Sequence, residues 1–118
     1  MTLVDTSVWI DHFRNGDKLL QDLLMNGEVL THPLVIGELA CGNLARRDEV
    51  LEYLGSLPSV AVATHDEVMH MINSNELHGK GLGFIDMHLI ASSLIDRAEL
   101  WTKDRRLASV VGSLTRKS

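Results

Sequence analysis

Four short apolar runs recur along the chain, TLV (2–4), EVLTH (28–32), VAVA (60–63) and ELWT (99–102), and helical spacing lies between them. Strands separated by helices cannot pair through tight turns. Each helix must cross over before the next strand begins, so the alternation predicts parallel pairing. The expected fold is α/β, a three-layer αβα sandwich with a mainly parallel central sheet of four or five strands. In such a sheet the strands all end on one edge, and ligands bind there.

The intervening segments read as helices. SVWIDHFRNG stops at Gly16, with Thr6 and Ser7 available as caps, and DKLLQDLLMN (17–26) carries leucines at three- and four-residue spacings. LVIGELACGNLARR follows Pro33, and DEVLEYLGSL completes a helical pair before Pro58. THDE (64–67) has the capping-box pattern ahead of a helix reaching about His78, GKGLG (79–83) is a loop, and FIDMHLIASSLIDRA (84–98) is apolar nearly all round, as a central buried helix would be. With 118 residues, no repeat and no linker, the chain is expected to form one domain over 1–118.

Charge narrows the functions available. Eleven Lys and Arg against 16 Asp and Glu give a net charge of -5, so no protein-wide positive field draws in a polyanion. Any contact with nucleic acid has to be local or metal-assisted. The single Cys41 excludes an intrachain disulfide, and MTLVDTSV carries neither a basic nor a long apolar leader, which points to the cytoplasm. No apolar run approaches the roughly 20 residues of a membrane span.

Four acids stand in informative places. Asp5 and Asp104 follow predicted strands and share an edge of a parallel sheet. Asp86 lies in the first turn of its helix, where the dipole favours an anion. Glu38 interrupts the otherwise apolar IGELACG, and a glutamate buried there would need a partner. Each has a plain structural explanation: a cap, a polar helix edge, dipole compensation, a solvated charge. Gathered in one cleft, however, they repel one another unless a cation lies between them. An all-oxygen set suits Mg²⁺ or Mn²⁺, ions that also take a phosphate as ligand.

LVDTSVWIDHF, IGELACG, GLGFIDMHLIASSL and LWTKDRRL resemble, in order and over nearly the whole chain, the four signature blocks of PIN-domain ribonucleases, specifically the VapC toxins of toxin–antitoxin pairs. The resemblance places the family's acidic quartet on Asp5, Glu38, Asp86 and Asp104 and its hydroxyl neighbours on Ser7 and Thr102. It implies a metal-dependent endoribonuclease that uses Mg²⁺ or Mn²⁺ and leaves a 5'-phosphate and a 3'-hydroxyl. Asp5, Asp86 and Asp104 are then the principal metal ligands, and Glu38 binds through water or orients the nucleophile. A cognate antitoxin and a homodimer are implied as partners. In LWTKDRRL the acid Asp104 and the bases Lys103, Arg105 and Arg106 take separate roles, metal ligand and phosphate contacts.

Other readings fit less well. No HExxH or paired-cysteine spacing supports zinc, and His65 and His70 do not share a helix face. His12, His32, His78 and His88 are expected at the surface or satisfied in the core, with His88 near enough to Asp86 to support it. Trp9 and Trp101 belong to the core. GKGLG lacks the phosphate-loop pattern. A receiver-like Mg²⁺-binding signalling domain needs an aspartate at the end of a central strand, and the middle segment offers none. A haloacid dehalogenase-type phosphatase needs Asp-x-Asp, and Ser7 stands in the second place. A catalytically silent PIN-like interaction module does not require the complete quartet.

Overall fold

The computed structural model describes residues 1–117; Ser118, the last residue of the expected domain, lies outside the described residues. Three strands, β1 (Thr2–Val4), β2 (Val29–Leu30) and β3 (Glu99–Trp101), form a parallel sheet in the order β2-β1-β3. The register pairs Leu3 with Leu30 on one side and Val4 with Trp101 on the other. Leu3 and Val4 in the middle strand are fully buried, which is why β1 is a continuous apolar run without alternation.

The sheet has three strands, not four or five. VAVA is the shortfall. Ser59 makes a single parallel bridge to Thr31, and pairing stops there. Ala61 N–H donates instead to Asp96 Oδ2 and Ala63 N–H to Ser92 Oγ, so side chains of a neighbouring helix take the donors a fourth strand would have used.

Seven helices lie between and after these strands among the described residues: α1 (Thr6–Asn15), α2 (Lys18–Met25), α3 (Pro33–Cys41), α4 (Arg47–Ser56), α5 (His65–Ser74), α6 (Phe84–Ile95) and α7 (Arg105–Lys117). The expected long helix after Pro33 stops at Cys41, where Gly42 caps it, and α5 stops at Ser74 instead of His78. At that second end Glu76 takes a left-handed conformation and Leu77 N–H bonds Ile72 O, a Schellman closure. The same closure, through Gly27 and Arg97, turns α2 into β2 and α6 into β3. The Thr64–Glu67 capping box opens α5 as its sequence predicts.

No helix was expected after Asp104, yet α7 is the longest in the chain. Its signal is the spacing of Leu107, Val110, Val111 and Leu114, of which Leu107 and Leu114 are buried. The core has two parts. One gathers β1 and β2 with α1 to α4 around Trp9; the other joins α5, α6 and α7 around Ile90 and Leu107, and Leu100 of β3 packs against both. Among the described residues no helix is long and apolar enough to cross a membrane.

His32, two residues beyond β2, is fully buried and caps α3, its Nδ1 accepting from Leu34 N–H at 3.0 Å. That bond fixes the proton on Nε2, which has no partner among the described residues. Burial, reinforced by His88, pulls its pKa down to about 4. The unfolded chain therefore binds a proton near pH 6.5 that the folded chain refuses until about pH 4. Stability should fall as pH drops through that window, by about 3 kcal/mol once both limits are passed. Urea denaturation at pH 7, 5.5 and 4 would measure it. His32→Asn, which keeps a capping acceptor, should flatten the curve, and an unchanged pH dependence would contradict this account.

Candidate active site

Because β1 and β3 are parallel neighbours paired at Val4 and Trp101, Asp5 and Thr102 emerge side by side at the sheet edge. Asp5 N–H still bonds Trp101 O at 2.9 Å. Asp5 sits at the N-cap of α1 but is largely diverted from capping. Its Oδ1 accepts from the adjacent Thr6 N–H at 2.8 Å, while Oδ2 accepts from Ser7 Oγ at 2.9 Å and Thr102 Oγ1 at 2.7 Å. Asp5 as a residue is 6% exposed, and its carboxylate is held by three donors.

Thr102 is bound twice, since its hydroxyl also accepts from Asp104 N–H at 3.0 Å. Ser7 Oγ likewise accepts from Lys103 N–H at 3.0 Å. Both hydroxyls proposed as neighbours of the acids are therefore part of the network. Asp104 caps α7, with Oδ1 accepting from Arg106 N–H and Leu107 N–H at 2.9 and 3.1 Å, and Oδ2 remains open. Its plain structural role is real, and it leaves one oxygen for other work. Asp86 in the first turn of α6 accepts from Gly83 N–H at 3.2 Å.

Glu38 departs from expectation. It is exposed, not buried, and its partner is Thr6, whose hydroxyl donates to Glu38 Oε1 at 2.7 Å. Thr6 thus ties two acids together, Asp5 through its N–H and Glu38 through its hydroxyl. No feature of the sequence announces this pair, which is 32 positions apart.

The four acids share one electrostatic neighbourhood. Asp86 has its pKa raised, first by burial and then by the charges of Asp5, Asp104 and Glu38, with the Gly83 hydrogen bond opposing them. As placed, no three His, Cys, Asp or Glu side chains among the described residues close on a common point that would hold an ion. Their oxygens are turned toward Thr6, Ser7, Thr102 and the α7 N-terminus instead. The donor set nonetheless fits a hard divalent ion: all oxygen, no sulfur or nitrogen, and a mutual repulsion that a cation would relieve.

The basic residues divide. The Lys103 ammonium pairs with Asp11 and lies 3.9 Å from Asp17, and the Asp11 hydrogen bond raises its pKa. It braces the β3–α7 junction against α1 rather than standing free. Arg105 and Arg106 are exposed, and neither guanidinium has an ion pair among the described residues. His88 on α6 lies between His32 and Phe84, its Nδ1 buried without a partner and its pKa lowered by burial and by His65. Trp9 is core as expected, and Trp101 is half-buried.

Residues 2–112 match the family model described as the PIN domain. The chain is 49% identical over 108 residues to Ribonuclease VapC32 of Mycobacterium tuberculosis, in strains CDC 1551 / Oshkosh and H37Rv, covering 91% of this chain and 87% of the relative. Among solved structures it is similar to PAE2754 from Pyrobaculum aerophilum, with a TM-score of 0.61 and 19% identity over 98% of this chain and 89% of that one. At that identity the likeness shows the fold.

Ionised Asp86 opposes folding, because a raised carboxyl pKa means stability is fully present below the unfolded pKa and is lost as pH rises through the folded value. In chelator at pH 7, Asp86→Asn should raise Tm by roughly 3–5 °C, the displacement that about 1 kcal/mol makes in a chain this size. The gain should vanish near pH 3, where the carboxyl is protonated in both states. A lower Tm at pH 7 would show that the acids do not repel.

Proposed function

The chain belongs to the PIN-domain family, and from that premise we propose that it is a divalent-metal-dependent endoribonuclease, the toxin of a toxin–antitoxin pair. The observation carrying this reading is the field at Asp86, where acids from the β1 edge, α3 and the β3 edge act on one carboxyl. The 49% identity to Ribonuclease VapC32 supports the substrate class.

A bound Mg²⁺ or Mn²⁺ would supply an activated water and neutralise charge on the phosphodiester. Asp5, Asp86 and Asp104 would hold it, through carboxylates already oriented by neighbours. Asp5 is fixed by three donors and has no freedom to swing away. Asp104 keeps Oδ2 for the ion while Oδ1 anchors α7. Glu38, steadied by Thr6, orients the attacking water, and its Oε1 bond leaves Oε2 for that purpose. Asp86 must lose its proton to take part, so its raised pKa should make activity fall in mild acid sooner than an ordinary carboxylate would.

Arg105 and Arg106, free of internal ion pairs, take RNA phosphates. Lys103 contributes through its pair with Asp11, keeping Thr102 and Asp104 in place. The toxin reading brings with it a cognate antitoxin, a homodimer and a cytoplasmic setting. A groove of about 420 Å³ lined by Ile10, Phe13, Glu38, Leu39, Leu44 and Val50 supports the antitoxin, since an apolar segment seated there would meet Glu38.

Total cellular RNA incubated with the chain should be cut with Mg²⁺ or Mn²⁺ and spared with a chelator. Asp5→Asn should lower turnover at least 100-fold with the fold intact by circular dichroism. Asp104→Asn should cut turnover heavily while leaving RNA affinity unchanged or improved, and Arg105→Ala with Arg106→Ala should weaken affinity. Full activity of Asp5→Asn, or activity in chelator, would end the nuclease reading.

A further inference from the structure

Much of the positive charge in this acidic chain is internally engaged: Lys18, Arg46, Arg47 and Lys103 all stand in ion pairs. Lys80 and Arg106 do not, and the fold brings their positions together. Gly81 has a φ of 79°, and a Cβ there would lie 2.6 Å from Arg106 Nη1 and 3.2 Å from its Cδ. The Arg106 side chain therefore lies against the 79–83 loop, at a place only glycine leaves open.

Three and seven residues beyond Arg106, on the same face of α7, stand Ser109 and Ser113. With Lys80, Asn75 and Leu77 they line a cleft of about 160 Å³ between the loop and α7. Val110 and Leu114 complete its lining. The Lys80 ammonium and the hydroxyls of Ser109 and Ser113 have no hydrogen bond or ion pair among the described residues. An ammonium and two hydroxyls lining the cleft, with a guanidinium against the adjoining loop, offer donors suited to phosphate oxygens.

Both walls of the cleft belong to elements that also hold acids. Asp104 caps the helix that carries Arg106, and Gly83 at the end of the loop holds Asp86. Carboxylates repel every phosphate except one neutralised by a cation, so the strand beyond the scissile group needs another seat. From Arg106 to Ser113 the helix rises roughly 10 Å, enough for more than one nucleotide of an extended strand.

We propose that this cleft, lined by Lys80, Ser109 and Ser113 and flanked by Arg106 at Gly81, is the seat of the RNA backbone next to the scissile phosphate. The proposal rests on the ribonuclease reading above. It makes Lys80, in a loop with no phosphate-binding signature, a determinant of RNA affinity.

Cleavage sites would first be mapped in total cellular RNA, and a labelled single-stranded oligonucleotide built on one of them would serve as the binding probe. In chelator, Lys80→Ala should raise its Kd three- to tenfold and lower the slope of log K against log salt by about 0.7. Lys80→Arg should restore both. Ser109→Ala with Ser113→Ala should weaken binding about threefold at unchanged slope, since hydroxyls release no counterions. Lys80→Ala with a Kd within twofold of the original and the same slope would overturn the seat. Absence of any mapped cleavage would instead overturn the ribonuclease reading, and that failure appears one step earlier.

Discussion

The Thr102 hydroxyl is the point at which the pocket is fastened. It donates to Asp5 and accepts from the Asp104 N–H, so one oxygen atom sets the spacing between the acid that ends β1 and the acid that opens α7. Ser7 repeats the arrangement one step away, donating to Asp5 and accepting from Lys103 N–H. Neither hydroxyl could act this way unless β1 and β3 were parallel and in the observed register, since a slip of one residue would turn Thr102 to the opposite face. The sheet is small, yet its register is what the chemistry depends on.

Stability and function pull against each other at this point. Three helices begin beside the pocket, α1 at Asp5, α6 close to Asp86 and α7 at Asp104, and their N-terminal dipoles favour negative charge. That compensation is incomplete, because the carboxyl of Asp86 still takes up its proton more readily than an ordinary aspartate. The fold tolerates a concentration of charge that packing alone would remove, as expected where a site has been kept for binding a cation.

What could be read from the sequence depended on how local each cause was. Asp5 and Asp104 were legible because strand alternation alone puts both on one edge. Ser7 and Thr102 came from the resemblance, and the hydrogen bonds supply its physical reason. Helix α7 was present in the spacing of Leu107, Val110, Val111 and Leu114, beneath a charge cluster that draws attention first. VAVA has every local property of a strand and fails to be one because Asp96 and Ser92, far along the chain, take its donors. The link from Thr6 to Glu38 and the contact of Arg106 with Gly81 are likewise consequences of tertiary approach, without a local trace.

The bond between Thr102 and Asp5 spans 97 positions, which places the two halves of the pocket near opposite ends of the chain. During synthesis Asp5 leaves the ribosome with Thr6 and Ser7, well before Thr102 and Asp104. Closing so long a loop comes late in folding, because its entropic cost must be met before β3 can pair with β1. A growing chain that has not yet reached Asp104 therefore holds only part of the acid set. For a protein whose activity would harm the cell that makes it, the topology is its own safeguard: the pocket cannot close until β3 and Asp104 have both been made.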